Sequence, residues 1–177
     1  MFSRLIFASM VLLPLTLGPA TAAGQAPDPA EGVKARPNKQ EIVDLMSKSR
    51  GMPLEQQHSL VDAILQNASA GQTPRSDFML CTGLAHLGHP KAQMCVGRAY
   101  ENGWGVVEDL SEAYAWYAIA HENASGDARA QKEALSGRDR VKDKLLSNYP
   151  APNDDELEDL VNAQKSRIEQ FREAVKK

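Results

Sequence analysis

Apolar residues recur at helical spacing along most of the chain. Two groups of apolar positions, 42–46 and 60–65, predict two short amphipathic helices between residues 40 and 66. Further helical segments, separated by glycine-marked turns, continue to about residue 147, and a polar amphipathic helix occupies the C-terminal part. No segment shows the alternation of apolar and polar residues that is typical of a half-buried strand. The pattern therefore predicts an all-α fold.

The first 22 residues have the pattern of a secretory signal peptide. Arg4 precedes an apolar run over residues 5–17, and residues 20–22 fit the small-residue pattern of a cleavage site. The run is short for a bilayer span, which disfavours the alternative of an uncleaved anchor. We therefore predict cleavage near Ala22/Ala23 and a periplasmic or secreted protein without stable membrane insertion. The proline-containing segment 23–40 is predicted to be a disordered leader.

The segment from residue 90 to 121 has the most regular pattern and predicts one helical hairpin. Gly97 lies on the first helix, where a glycine lets a neighbouring helix approach closely. Gly103 and Gly105 follow that helix and suit turn positions with positive φ. Asp109 is a good N-cap for the second helix, and Glu112 three residues later completes a capping-box-like pair.

The same stretch resembles the Sel-like repeat family, whose helical hairpins are related to tetratricopeptide repeats. The pattern of the family is matched by Ala92, Gln93, Gly97, Tyr100, Gly103, Gly105, Val106, Asp109, Ala113, Trp116, Tyr117 and Ala120. Residues 78–89 look like the second helix of a preceding repeat, and residues 126–131 look like a join to the next one. The resemblance therefore covers about residues 76–134.

This resemblance implies a short α-solenoid of antiparallel helical hairpins over residues 41–149. It also implies a scaffold or adaptor that binds other proteins. Since an isolated repeat cannot bury its apolar face, we expect the helices at 40–66 and 128–147 to cap the two ends.

Cys81 and Cys95 are the two cysteines of the chain, and they lie seven residues before and after the predicted turn at Gly88. Residues at these distances meet across an antiparallel hairpin, and export places them in an oxidising compartment. We therefore predict a disulfide. The resemblance supports this pairing, because some secreted members join adjacent helices by disulfides. Two buried free thiols are the alternative.

Histidine and aromatic residues offer further candidate sites. His86 and His89 lie close to the cysteines, but their spacing matches no common zinc pattern, so no metal or cofactor is predicted. His58 and His121 look like solitary surface or edge residues. The aromatic residues of the hairpin are typical of core packing. Trp104 is the exception, because it lies between two turn glycines and is the candidate contact for a partner.

The C-terminal helix, residues 150–177, carries a heptad seam with one polar interruption. The seam consists of Leu157, Val161, Gln164, Ile168, Phe171 and Val175. Acidic residues at the start of this helix are favoured by the helix dipole. The seam predicts either a helix that folds back as a cap on the repeat domain or self-association through residues 157–175.

Charge and motifs narrow the function. The chain carries 20 Lys and Arg against 23 Asp and Glu, which disfavours nucleic-acid binding. It contains no nucleophile-elbow, zinc-protease, P-loop or dinucleotide-binding motif. Together with the adaptor role that the resemblance implies, this leads us to expect an exported module that binds a protein partner and has no catalysis of its own. The alternative is a small cell-wall-associated binder or hydrolase acting on peptidoglycan-type ligands, with His86, His89 and Asp77 as its candidate groups.

Overall fold

The fold is all-α, as predicted. The computed structural model describes residues 36–68, 74–148 and 150–176, of which 81% are helical, with no strand among them. The helices are α1 (Lys39–Arg50), α2 (Leu54–Ala68), α3 (Arg75–Leu87), α4 (Pro90–Asn102), α5 (Leu110–Asn123), α6 (Ala128–Leu146) and α7 (Asp154–Lys176). The predicted signal peptide lies outside the described residues.

Helix α1 begins earlier than the sequence pattern indicated. The Asn38 side chain accepts a hydrogen bond from the Glu41 backbone N–H at 3.0 Å, and the Glu41 carboxylate accepts one from the Asn38 N–H at 2.8 Å. This reciprocal capping box starts the helix at Lys39. The last two residues of the segment predicted to be disordered, 39 and 40, are therefore helical.

The turn between α4 and α5 has the predicted geometry. Gly103 and Gly105 adopt φ values of 70° and 68°, a region that residues with a Cβ rarely occupy. Gly105 also faces the start of α3, since an added Cβ would lie 2.9 Å from the Arg75 Cα. The Asp109 carboxylate caps α5 by accepting from the Glu112 N–H at 2.9 Å. The reciprocal half of the predicted pair is wrong, because the Glu112 side chain binds Arg36 and Arg167 instead.

The packing of the helices is compatible with a helical-repeat arrangement. Helix α4 contacts α3 and α5, its neighbours along the chain, and also α2 and α6. Helix α5 contacts α4, α6 and α7, which explains why it is buried on nearly every side and reads as an apolar, alanine-rich segment. Helix α1 packs against α3 and α7.

Tyr117 of α5 is the residue around which α4, α5 and α6 meet. Its ring lies against two glycines: an added Cβ would come within 3.1 Å of the ring at Gly97 and within 2.5 Å at Gly137. Its hydroxyl donates to Glu101 Oε2 at 2.9 Å. The close approach predicted at Gly97 is thus made by the Tyr117 side chain, and Gly137 provides a second one that the repeat pattern did not include.

Gln93 is a fully buried polar residue that ties three helices together. Its amide donates to the Ala85 carbonyl of α3 at 3.1 Å and accepts from the Asn123 side chain of α5 at 3.0 Å. A buried amide is costly unless it is hydrogen-bonded, so this position depends on both partners.

The Cys81–Cys95 disulfide is present and joins α3 to α4. The two Cα atoms are 6.1 Å apart, and both side chains are buried in the core. No free cysteine is found among the described residues. The alternative prediction, two buried free thiols, is therefore wrong.

Helix α7 folds back onto the chain. Leu157, Val161, Gln164, Ile168 and Phe171 of its seam are buried, and the helix packs against α1, α3 and α5. Arg172 Nε donates to the His86 carbonyl at 2.8 Å, and Arg167 binds Glu112 at 2.9 Å. The sequence predicted either a cap or self-association for this seam. In the structure the helix folds back as a cap, and the five buried seam residues pack against other helices of the same chain.

Reduction of the disulfide should lower stability. The bond closes a loop across 14 residues, and in the chain-entropy model a loop of this length contributes about 3 kcal/mol to the free energy of unfolding. Urea unfolding with and without reductant measures the difference, and a Cys81→Ala/Cys95→Ala variant should be insensitive to reductant. Equal midpoints for the oxidised and reduced wild type would contradict the prediction.

Gly137→Ala should destabilise the protein, although alanine is ordinarily about 1 kcal/mol better than glycine inside a helix. The new methyl group would lie 2.5 Å from a Tyr117 ring that is 1% exposed and anchored through its hydroxyl, so the ring has no room to move. We expect a loss of about 1–3 kcal/mol in urea unfolding. Ser136→Ala, at the adjacent exposed position of α6, is the matched control and should be neutral or stabilising.

Candidate functional site

An open groove crosses α2, α4 and α6. Its main depression, about 520 Å³, is lined by residues of all three helices, among them Asp62, Lys91, Met94, Arg98 and Arg129. Smaller depressions of about 320 Å³ and about 380 Å³ adjoin it on either side and share lining residues with it. We call this surface the α2–α4–α6 groove. Most of its lining residues are polar or charged, and apolar residues such as Leu65, Met94 and Ala130 lie among them.

Two ion pairs brace the walls of the groove. Lys91 of α4 binds the Asp62 carboxylate of α2 at 2.8 and 3.0 Å. Arg98 of α4 binds Glu133 of α6. Both pairs are partly exposed, so each contributes little to stability, but each connects adjacent helices across the groove floor.

The α6 end of the groove is cationic. Arg98, Arg129, Lys132 and Arg140 line this depression, with Glu133 as the one acid among its lining residues. Arg129 and Lys132 are exposed, and their side chains have no acidic partner among the described residues. This end therefore offers two uncompensated positive charges to a ligand, in a protein whose net charge is −3.

Arg140 is fixed in place by a buried carboxylate beneath the groove. It binds Glu101 through two parallel hydrogen bonds of 2.7 Å, and Lys144 adds a third at 2.8 Å. The Glu101 side chain is 3% exposed. Burial alone would raise the pKa of this carboxyl, but the hydrogen bonds from its partners outweigh burial and lower the pKa to about 2. The Glu101 carboxylate therefore stays ionised and continues to bind Arg140 at the cationic end of the groove.

The opposite end of the groove holds a histidine pair. His89 is the N-cap of α4, where its Nδ1 accepts from the Ala92 N–H at 3.3 Å. The ring of His58 packs edge-on against it, with 4.6 Å between the centroids. His58 was predicted to be solitary, which is wrong. Burial, reinforced by the nearby His58 and Lys91, lowers the pKa of His89 to about 4.

The residues considered for a hydrolytic site do not come together. Asp77 lies in the first turn of α3, whereas His86 lies in its last turn, about 13 Å further along the helix axis. His86 is buried beneath α7, and His89 faces the groove. Each of the two histidines is buried and hydrogen-bonded through Nδ1.

Trp104 lies in the α4–α5 turn as expected, but it is half-buried against the hydrophobic core and does not line the groove. The other aromatic residues of the hairpin are core residues, since Tyr100, Trp116 and Tyr117 are buried. The structure thus provides a more extensive polar surface on α2, α4 and α6 than at the turn.

The groove residues were missed by the sequence analysis, although a signal was present. On α4, Lys91, Met94 and Arg98 repeat at helical spacing, and on α6 a polar stripe follows Arg129, Lys132, Ser136 and Arg140. Each stripe lies on the side of its helix away from the small apolar residues that face the core, such as Val96 of α4 and Val141 of α6. Attention to the polar face of these helices would have found them.

No group of three or more metal-binding side chains converges within residues 36–68, 74–148 and 150–176. In the same described ranges, no helix combines the length and apolar character needed to cross a bilayer.

Comparisons with protein-family models, with curated proteins and with solved structures give no match for this chain.

His89 should make the stability of the protein depend on pH. The folded chain keeps this ring neutral until about pH 4, whereas the unfolded chain takes up the proton near pH 6.5. The unfolded state therefore binds more protons in this window, and the free energy of unfolding falls as the pH decreases from about 6.5 to about 4. His89→Asn keeps a good N-cap and removes the titrating group.

Urea unfolding of the wild type and His89→Asn, measured across that pH window, checks the assignment. The variant should lose less stability on acidification while retaining most of its stability near neutral pH. Parallel pH profiles for the two proteins would show that His89 is not a source of the dependence.

Proposed function

We propose that this chain is an exported interaction module of the Sel-like repeat type, which binds a protein partner in the α2–α4–α6 groove and carries out no chemistry itself. The observation that carries the proposal is the groove: an open surface of three adjoining depressions, lined mostly by polar and charged residues and formed by alternate helices of a repeat-like stack. Export follows from the predicted signal peptide, and the repeat type follows from the sequence resemblance.

The size and polarity of the groove favour a peptide segment over a small molecule. Its depressions are shallow and adjoining rather than one enclosed apolar pocket, which is the usual form of a small-molecule site. Stacked helical repeats commonly bind partners along such extended surfaces.

The charge of the groove indicates which segment fits. Arg129 and Lys132 have no acidic partner among the described residues, and the adjacent Arg98 and Arg140 are already oriented by Glu133 and Glu101. Acidic side chains of a partner would find complementary charge at the α6 end, which favours encounter and register. We therefore expect the partner to present an acidic segment.

Charge reversal at the α6 end should weaken binding. A photo-crosslinking residue at Ser136, in the groove, should trap the partner in the native compartment, whereas the same residue at the exposed Gln170 of α7 should not. With the trapped partner purified, Arg129→Glu/Lys132→Glu should lower its affinity about tenfold or more at low salt.

Lys39→Glu/Lys48→Glu is the matched control, because it makes the same change in net charge at exposed positions of α1. Equal losses of affinity in both double variants would indicate a general effect of net charge. Equal trapping from Ser136 and Gln170 would contradict binding in the groove.

A further inference from the structure

A small cavity of about 70 Å³ lies beneath α7. Residues of α1, α3, α4, α5 and α7 line it, together with Arg36 and Pro37 just before α1. The cavity is separate from the α2–α4–α6 groove, with which it shares no lining residue. Its walls include Tyr100, Trp116 and Phe171, but three of its lining residues are polar and almost completely buried: His86, Glu112 and Gln164.

Each of these three residues carries one buried polar atom that has no hydrogen-bond partner among the described residues: His86 Nε2, Glu112 Oε2 and Gln164 Oε1. The contact of the other ring nitrogen, Nδ1, shows which tautomer of His86 is present. His86 Nδ1 lies 2.8 Å from the Thr82 carbonyl, which can only accept, so the neutral ring carries its proton on Nδ1. His86 Nε2 is therefore an acceptor, as are the other two oxygens.

Three acceptors around one cavity define what can occupy it. Buried acceptors need donors, and polar cavities of this size are normally hydrated. An anion would be repelled by the three acceptors, and the Arg36 and Arg167 guanidinium groups that could attract it are already bound to the Glu112 carboxylate. A cation is disfavoured because the Arg36 and Arg167 guanidinium groups both line the cavity, and both already bind Glu112 Oε1 at 2.9 Å. A neutral hydrogen-bond donor fits these constraints.

We propose that this cavity is a binding site for two ordered water molecules that hydrogen-bond α7 to α3 and α5. The cavity has room for two water molecules. Two waters carry four hydrogens: three are donated to His86 Nε2, Glu112 Oε2 and Gln164 Oε1, and the fourth joins the two waters. Every orphan acceptor around the cavity is then satisfied.

This site explains the polar interruption in the α7 seam. A leucine at position 164 would continue the apolar heptad pattern, but it would leave the Glu112 and His86 acceptors without the water network that Gln164 helps to hold. Gln164 is thus a ligand of the buried waters. It differs from the register-setting polar residue of a coiled coil, because its seam packs within one chain.

Two direct measurements on the full chain test the proposal. A crystal structure at near-atomic resolution should show two waters within hydrogen-bond distance of the three acceptors. Nuclear magnetic resonance should show the Nδ1–H tautomer of His86 and cross-peaks from its ring to long-lived water.

Several results would overturn it. These are a cavity without water in which the Gln164 amide donates directly to Glu112 or His86, a His86 ring protonated at Nε2 at neutral pH, or a monovalent or metal cation in place of water. The wild-type data decide between these outcomes on their own.

A variant pair sharpens the assignment. Gln164→Met removes the acceptor at similar side-chain volume and should lose at least one of the two waters and the matching cross-peaks. Gln170→Met, the same change at an exposed position of α7, should keep both waters. If Gln164→Met retained both waters, Gln164 would not be a ligand of the waters.

Discussion

The contact on which the rest of the structure depends is that of Tyr117 with Gly97, Gly137 and Glu101. The ring needs two positions without a Cβ, one on each neighbouring helix, and the hydroxyl needs the carboxylate below it. Since that carboxylate is buried, it needs Arg140 and Lys144. A buried charge without partners costs several kcal/mol, so the set is formed together or not at all. It therefore fixes the register of α4, α5 and α6.

The same register places the two polar sites on different sides of the helices. Arg140, the α6 residue that binds Glu101, lines the same depression of the groove as Arg129 and Lys132. Trp116, the residue before Tyr117, packs instead against His86, with 5.1 Å between ring centroids, and lines the cavity beneath α7. Helix α5 contributes to both sites because nearly all of its surface is buried and because the adjacent Trp116 and Tyr117 point to different sides of it.

Features that depend on local chain geometry could be predicted from the sequence. Gly103, Gly105 and Asp109 act through their own backbone and the next few residues, and Cys81 and Cys95 lie symmetrically about one turn. By contrast, the contact of Gly137 with Tyr117, the burial of His86 and the partners of Glu112 each depend on residues about 20 or more positions away in the chain. Helical periodicity gives the buried face of a helix but not the side chain that will lie against it.

The position of α7 determines which surface remains for a partner. Its seam could in principle pair with a second chain, but in the folded chain it covers α1, α3 and α5. Displacing it would expose five buried seam residues and break the Arg167–Glu112 pair and the Arg172 bond to the His86 carbonyl. No comparable element covers α2, α4 and α6 among the described residues, and the charges there are already exposed. A partner that binds the groove therefore breaks no helix packing, whereas one that binds in place of α7 must first replace every one of these contacts.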